Sequence, residues 1–238
     1  LKIAIIGYGK MGKAIEKLAL EAGHEVIVRI DSEDDWKKYG NTFSKADVAI
    51  EFSSPKVVVA NIHKCFEANV PVVVGTTAWE YAIENIRETC HSGNHSMFVA
   101  ANYSIGVNIF NKISLHLATL MNSQSNYEVK LSETHHIHKA DSPSGTAKLL
   151  ASGIISQVQR KEKWVNQETS QSDEIEITSH RIDEVPGTHL VTWFSDEDEI
   201  EIKHTAKNRI GFAKGALLAA VFLIGKKGFF GMDDLLFG

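Results

Sequence analysis

The segment Glu133-Thr134-His135-His136-Ile137-His138-Lys139-Ala140-Asp141-Ser142-Pro143-Ser144-Gly145-Thr146-Ala147 concentrates the residues best suited to chemistry. Three histidines and a lysine fall within five residues, and a Ser-Pro-Ser-Gly-Thr turn leads directly into a helical pattern. Imidazole titrates near neutrality, so it can give or take a proton at working pH. Lysine adds a full positive charge. Ser142 suits an N-cap and Pro143 the first helical position. The N–H groups of Ser144, Gly145 and Thr146 are then expected to face an anion at the positive end of the helix. Gly145 puts no Cβ in a ligand's way. Proton donors beside an anion seat fit a small acidic substrate. The competing reading is a metal site, because His136 and His138 share a strand face and Asp141 is close. Zinc usually takes three or four ligands. Nothing else in the chain completes such a set, so no metal is expected. A surface histidine cluster is disfavoured by the anion-binding turn beside it.

A second chemical feature opens the chain. Gly7-Tyr8-Gly9-Lys10-Met11-Gly12 fits G-x-G-x-x-G, and it follows an apolar strand and starts a helical pattern, the context that the motif requires. Gly7 allows the tight turn, Gly9 a close backbone approach to a pyrophosphate, and Gly12 close helix–strand packing. Asp31 ends the next strand, where a carboxylate accepts from an adenosine ribose. It favours NADH over NADPH, because it repels a 2′-phosphate. Arg29, read as lying on the same side, softens that preference. Three further strand ends, Phe52-Ser53-Ser54-Pro55, Gly75-Thr76-Thr77 and Ala101-Asn102-Tyr103, point to the same crevice, where small and hydroxyl residues suit a nicotinamide and its ribose.

These residues need elements to position them. Ile3–Ile6, Val26–Ile30, Ala46–Phe52, Val70–Val74 and Met97–Ala100 read as strands. Helical patterns separate them: one carrying Ile15, Leu18, Ala19 and Ala22 and ending at Gly23, one opened by Pro55 and running to Ala68, and one over Glu80–Thr89. This alternation predicts a Rossmann-like, doubly wound parallel sheet. The pattern then changes. A helix over Val107–Met121, the strand Tyr127–Glu133 and a helix over Ser144–Val158 precede three alternating segments, Glu174–His180, His189–Phe194 and Glu199–His204. Their alternation predicts a second α+β domain with a mainly antiparallel open sheet. The expected domains are 1–103 with 209–238, which bind dinucleotide, and 104–208, which bind substrate and form the oligomer. A mostly apolar helix, Phe212–Ile224, is expected to return and cover the first sheet. The charged runs Ser32–Lys38 and Ser195–Glu199 read as solvated loops.

Taken together, the histidine segment, the Gly7–Gly12 loop, Gly75-Thr76-Thr77, Ala100-Ala101-Asn102-Tyr103-Ser104-Ile105-Gly106-Val107-Asn108, Val185-Pro186-Gly187-Thr188 and Phe212-Ala213-Lys214-Gly215-Ala216 resemble the 4-hydroxy-tetrahydrodipicolinate (dihydrodipicolinate) reductase family. The resemblance runs in order through nearly the whole chain. It implies NAD(P)H-dependent reduction of that small dicarboxylate to tetrahydrodipicolinate, in lysine and diaminopimelate synthesis. It makes His135 the general acid–base and Lys139 the second catalytic donor. His136, Gly145 and Thr146 become substrate contacts. Gly7, Tyr8, Gly9, Lys10, Met11, Gly12, Asp31, Gly75, Thr76, Thr77, Ala100, Ala101, Asn102 and Tyr103 become cofactor contacts. It also implies a homotetramer, with a homodimer as the alternative, because the run from Thr188 to His204 reads as shortened relative to the family. Ser142 stands where the family usually has alanine. Two other readings are another two-domain NAD(P)-dependent oxidoreductase, such as an amino-acid dehydrogenase, and an NADH-binding protein without turnover.

Bulk properties agree. The 238 residues are 43% hydrophobic and 23% charged, ordinary for a globular chain, and the net charge of −5 argues against nucleic acid as a partner. No secretory signal is read at the start. The longest apolar run, Gly215–Gly225, is too short to span a bilayer. Cys65 and Cys90 have neither metal-type spacing nor a disulfide framework, and free thiols fit a reducing cytoplasm.

Overall fold

The computed structural model describes residues 1–208 and 210–238. In chain order the elements are β1 (Lys2–Ile6), α1 (Lys10–Glu21), β2 (Glu25–Ile30), α2 (Glu33–Phe43), β3 (Val48–Glu51), α3 (Val58–Glu67), β4 (Val72–Val74), α4 (Ile83–Ser92) and β5 (Ser96–Val99). There follow α5 (Ile105–Met121), β6 (Glu128–His135), α6 (Gly145–Gln157), β7 (Lys163–Val165), β8 (Glu174–Arg181), β9 (Gly187–Phe194) and β10 (Glu199–Ala206). The chain closes with α7 (Ile210–Leu223), β11 (Gly228–Phe230) and α8 (Met232–Phe237). Two compact units result, Leu1–Ile105 with Ile210–Gly238, and Gly106–Arg209. The sequence-derived boundary at 208/209 abuts residue 209, which lies outside the described residues.

The first unit is a parallel six-stranded sheet in the order β11-β5-β4-β3-β1-β2. Its central strands are apolar on both faces, as a sheet covered by helices on both sides requires. Ala4, Ile6, Val72 and Val74 face one core with Phe43, Ile62 and Ile86. Ile3, Ile5, Ile50 and Val73 face the other with Ile15, Ala216 and Ala220. The returning helix α7 packs on β3, β4, β5 and α1, as its apolar sequence predicts.

Several local expectations are corrected. Ser32–Lys38 is not a loop. Ser32 Oγ accepts the Asp35 N–H at 3.2 Å, the Asp35 carboxylate accepts the Ser32 N–H at 3.0 Å, and this capping box starts α2. The run of acids suits the positive helix end. Helix α3 starts at Val58 rather than Pro55, because the Ser54 carbonyl first accepts the N–H groups of both Val57 and Val58 in a turn. The short strands β7 and β11 and helix α8 carried no periodicity long enough to read.

The second unit holds a five-stranded sheet, β10-β9-β6-β8-β7. It is mixed, with the antiparallel part in β6, β9 and β10. β9 runs antiparallel to β6 and β10, but β6, β8 and β7 are mutually parallel because α6 carries the chain across the sheet between β6 and the strands after it. α5 and α6 contribute Phe110, Ala118, Leu150 and Ile154 to a core with Val129, Leu131, Ile177 and Trp193. Strand β6 also runs two residues past Glu133. Its buried face reads Val129, Leu131, Glu133, His135, so the alternation that places two apolar residues in the core carries a carboxylate and an imidazole onto the same face. No helix among the described residues is long and apolar enough to cross a membrane.

Gly215 sets the height of α7 over its sheet, since a Cβ there would lie 1.8 Å from the Tyr103 carbonyl oxygen. Gly215→Ala is expected to cost ~1–3 kcal/mol in urea unfolding, the usual penalty for overpacking. An unchanged midpoint would contradict this packing.

Candidate active site

The chemistry-bearing residues gather at two places, one on each unit. On the first, the turn after β1 is fixed by the Gly7 N–H, which donates to the Ile30 carbonyl at 2.7 Å. Gly7 has φ +87°, and a Cβ there would meet the Phe52 carbonyl oxygen at 2.2 Å. A Cβ on Gly12 would stand 2.3 Å from the Gly7 oxygen, so α1 can sit this close only with glycine. Gly9, the α1 N-cap, has no protein atom within 4 Å of that direction. Packing therefore demands Gly7 and Gly12, while Gly9 leaves the helix start approachable by an anion. Lys10 and Met11 form the first turn of α1, exposed and half-buried respectively.

Asp31 is exposed at the end of β2, and its Oδ1 accepts the Tyr8 N–H at 2.8 Å. The loop thus aims the carboxylate. Arg29 is not available beside it. Its guanidinium is paired with Glu16 of α1, which also accepts the Tyr8 hydroxyl, and it lies 5.7 Å from the Tyr8 ring centroid. A cavity of about 150 Å³ opens here, lined by Gly7, Asp31 and Ser32 on one side and Trp36, Val57, Ala60, Asn61 and Lys64 on the other. Trp36 is not legible as a cavity residue in the sequence because it lies on the unread helix α2. The Trp36 indole N–H donates to Asn61 Oδ1 at 3.2 Å.

Behind this turn Glu51 is fully buried at the end of β3. Burial pushes its carboxyl up, against hydrogen bonds from Ser53, Thr76 and Asn61. The ring of Phe52 covers Gly75, where a Cβ would lie 2.2 Å from it. Thr76 is buried with its carbonyl accepting the Trp79 indole N–H at 2.7 Å, and Thr77 is exposed. Ala101 is exposed, Ala100 and Asn102 half-buried. Tyr103 differs from the sequence reading. Its ring is in the core, 2% exposed, and its hydroxyl donates to the Val74 carbonyl at 2.7 Å, so the side chain anchors the loop and cannot itself touch a ligand.

On the second unit the register of three strands builds the site. Glu133 lies opposite His189 across β6–β9, and His135 opposite Arg181 across β6–β8. Glu133 Oε1 accepts from Arg181 Nη2 at 3.1 Å and from the Ser144 N–H at 3.0 Å. His135 Nδ1 lies 3.3 Å from Glu133 Oε2 and His189 Nε2 3.8 Å from it. Burial alone would push the Glu133 carboxyl up, but hydrogen bonds from His135 and Ser144 outweigh it and hold the group far below the usual carboxylate range. Burial and the nearby His135 push His189 down to about 4, although Glu133 pulls the other way. His189 is therefore neutral at pH 7, and its Nε2 sits 3.2 Å from Ser144 Oγ.

The helix start also differs from the sequence reading. The N-cap of α6 is Ser144, whose Oγ accepts the Ala147 N–H at 3.2 Å, not Ser142. Ser142 Oγ instead accepts from Asn166 at 3.3 Å, and Pro143 lies before the helix. The Ser144 N–H is committed to the Glu133 carboxylate and is not left for a bound anion. Among the described residues no atom lies within 4 Å of a Cβ direction on Gly145, and Thr146 is half-buried beside it. Lys139 Nζ lies 2.6 Å from Asp141 Oδ1. That bond, with help from the Gly145 N–H, holds Asp141 below its usual range despite partial burial. His136 is half-buried and His138 exposed, with ring centroids 6.2 Å apart. The histidines that do cluster with a carboxylate are His135 and His189, whose ligand atoms lie within 4.8 Å of each other and of Glu133. Arg181 already neutralises that carboxylate, an arrangement suited to holding a proton.

Because His189 keeps a depressed proton affinity only while folded, the unfolded chain binds more protons between about 6.5 and about 4. Stability should thus fall as pH drops through that window, by ~3 kcal/mol from this residue. His189→Asn should flatten that part of the pH–stability curve. Equal slopes in both proteins would contradict a neutral, buried His189.

Comparison with known proteins completes the description. Family models described as dihydrodipicolinate reductase, N-terminus and C-terminus, match residues 1–103 and 106–236. A protein of Christiangramia forsetii named 4-hydroxy-tetrahydrodipicolinate reductase is 42% identical over 236 residues, covering 99% of this chain and 98% of that one. One of the same name from Staphylococcus haemolyticus is 33% identical, covering 99% and 100%. With the first relative matched over nearly its full length, the second unit is not shortened against it. The structure titled dipicolinate-bound dihydrodipicolinate reductase from Paenisporosarcina sp. TG-14 superposes with a TM-score of 0.83 at 21% identity, covering 99% of each chain, and shares the fold.

Proposed function

The chain belongs to the dihydrodipicolinate reductase family, and from that premise we propose that it reduces 4-hydroxy-tetrahydrodipicolinate to tetrahydrodipicolinate with NADH. The observation that carries this reading is the convergence of a proton-transfer histidine, a lysine and an approachable helix start at one end of the second sheet. Those are the groups that a dicarboxylate ring undergoing reduction and protonation needs. The dinucleotide, when bound, supplies the hydride. Gly7 to Gly12 and the start of α1 would hold its pyrophosphate, and Asp31 its adenosine ribose. Gly75, Thr77 and the Ala100–Asn102 backbone would line the nicotinamide end.

Asp31 and the neighbouring Glu33 and Asp34 disfavour a 2′-phosphate, and Glu16 ties down the nearest arginine. The reading is therefore NADH over NADPH. His136, Gly145 and Thr146 contact the substrate. Lys139 binds one carboxylate by exchanging its present partner Asp141 for it, and the α6 start receives the other. Once water has left the ring, hydride reaches C4 and the electron pair moves toward C3 and the ring nitrogen. His135, with Lys139 beside it, steadies that charge and delivers the proton. The ring would gain one hydride from the dinucleotide and one proton, with one water released. Hydride transfer of this kind requires that water be excluded from the reacting ring.

A cytoplasmic setting goes with this reading, in line with two buried free thiols, Cys65 and Cys90. We also favour a homotetramer over a homodimer. β10 is an exposed edge strand, and the sheet face carrying Lys130, Ser132, Thr178 and Leu190 is open. Sedimentation as four chains is expected, and two would select the dimer.

The direct test mixes the product of dihydrodipicolinate synthase with NADH and the protein and follows nicotinamide absorbance. Loss of absorbance is expected, with NADPH slower. His135→Gln should lower kcat ~10²–10⁴-fold, as loss of a general acid does, while NADH affinity is retained. Unchanged turnover would remove His135 from the reaction. Gly145→Ala should raise KM for the dicarboxylate without lowering thermal stability, because its Cβ meets no protein atom.

A further inference from the structure

His135 has two ring nitrogens, and which one carries the transferred proton decides whether the residue works. Its Nδ1 is sealed from solvent, and so is Glu133 Oε2, 3.3 Å away; among the described residues neither atom has another hydrogen-bond partner. The remaining edge of the ring faces Gly187, where a Cβ would stand 3.0 Å from Nε2. Glu133 itself is held from three sides. Arg181, from β8, and the Ser144 N–H, from the start of α6, take Oε1. Arg181 Nη2 also donates to the Asp141 carbonyl at 2.6 Å, so one guanidinium fixes the carboxylate and the turn after Lys139 together. The other titratable groups facing this cluster are His189, Lys139 and His204.

We propose that Glu133, locked by Arg181, is the positioning residue that keeps the His135 ring oriented with a proton on Nδ1, so that the proton delivered to substrate is the one on Nε2. A carboxylate is an acceptor only, and it selects the nitrogen that faces it as the donor. After the Nε2 proton leaves, the ring remains as the Nδ1–H tautomer without moving. Arg181 supplies the positive charge that makes a buried carboxylate tolerable. Glu133 touches neither substrate nor cofactor; it acts through His135. Gly187 belongs to the same device, because a larger residue would push the Nε2 edge aside.

This inference rests on His135 being the proton donor, and the experiment separates the two. Glu133→Gln keeps the shape but offers an N–H to Nδ1, which favours the opposite tautomer. It should lower kcat ~10²-fold or more, by analogy with other histidines given the wrong tautomer. KM for NADH and for the dicarboxylate should stay within ~threefold. Glu133→Asp should recover part of kcat. Nitrogen-15 NMR of the imidazole at a pH where His135 is neutral should show Nδ1–H in the wild type and Nε2–H in Glu133→Gln. Wild-type kcat in Glu133→Gln overturns the proposal, as does an Nε2–H tautomer in the wild type, which is decisive even if the variant does not fold. If His135→Gln also turns over normally, the functional reading fails; if only Glu133→Gln does, this inference alone falls.

Discussion

A carboxylate sealed in the second unit governs what its neighbours can do. Burying an unpaired carboxylate costs several kcal/mol, so Glu133 is tolerable only with donors in place. Arg181 comes from β8 and the Ser144 N–H from the start of α6, while His135 and His189 bring ring nitrogens from β6 and β9. The charge therefore couples three strands and a helix start. The His136–Lys139 turn and the α6 N-terminus leave this cluster at fixed points, which gives the short segment carrying His135, Lys139 and Gly145 a single geometry. Ser144 shows the economy of the arrangement: its N–H serves Glu133, its hydroxyl caps α6, and the same hydroxyl faces His189.

The first unit solves a different problem, bringing backbone close to a phosphate chain. Gly7 and Gly12 are demanded by packing, and Gly9 by access. The side chains around them are mostly committed to one another. Tyr8 aims Asp31, Glu16 holds Arg29, and Tyr103 anchors the loop after β5 from within the core. What remains presented is backbone N–H at the α1 start and the exposed carboxylate of Asp31, on which the proposed preference for a dinucleotide without a 2′-phosphate rests.

Much of this was legible in the sequence because it is local. The Gly7–Gly12 turn, Asp31 and the His135–Thr146 segment each lie within one strand–turn–helix, and the hydrophobic alternation located the strands that carry them. The errors came where partners are remote or signals conflict. Ser142 looked like a cap, but Ser144 wins because Glu133 fixes its N–H. The acidic run after Ser32 looked solvated, and only its capping box and the inward Trp36 and Phe43 make it a helix. The mixed second sheet depends on where α6 crosses, which alternation cannot reveal. Arg181 and His189 stand 48 and 56 residues from Glu133, and no spacing announces a register. Glu133 was in view as part of the motif, yet its role follows only from that register.

The most direct test of the account is a double isotope label of a single turnover. NADH carrying deuterium at the transferred nicotinamide position, in ordinary water, should place deuterium at C4 of tetrahydrodipicolinate. Unlabelled NADH in heavy water should place it at C3 when the reaction is quenched early. Deuterium at C4 from the solvent, or none transferred from NADH, would contradict a hydride-and-proton reduction at this pair of sites.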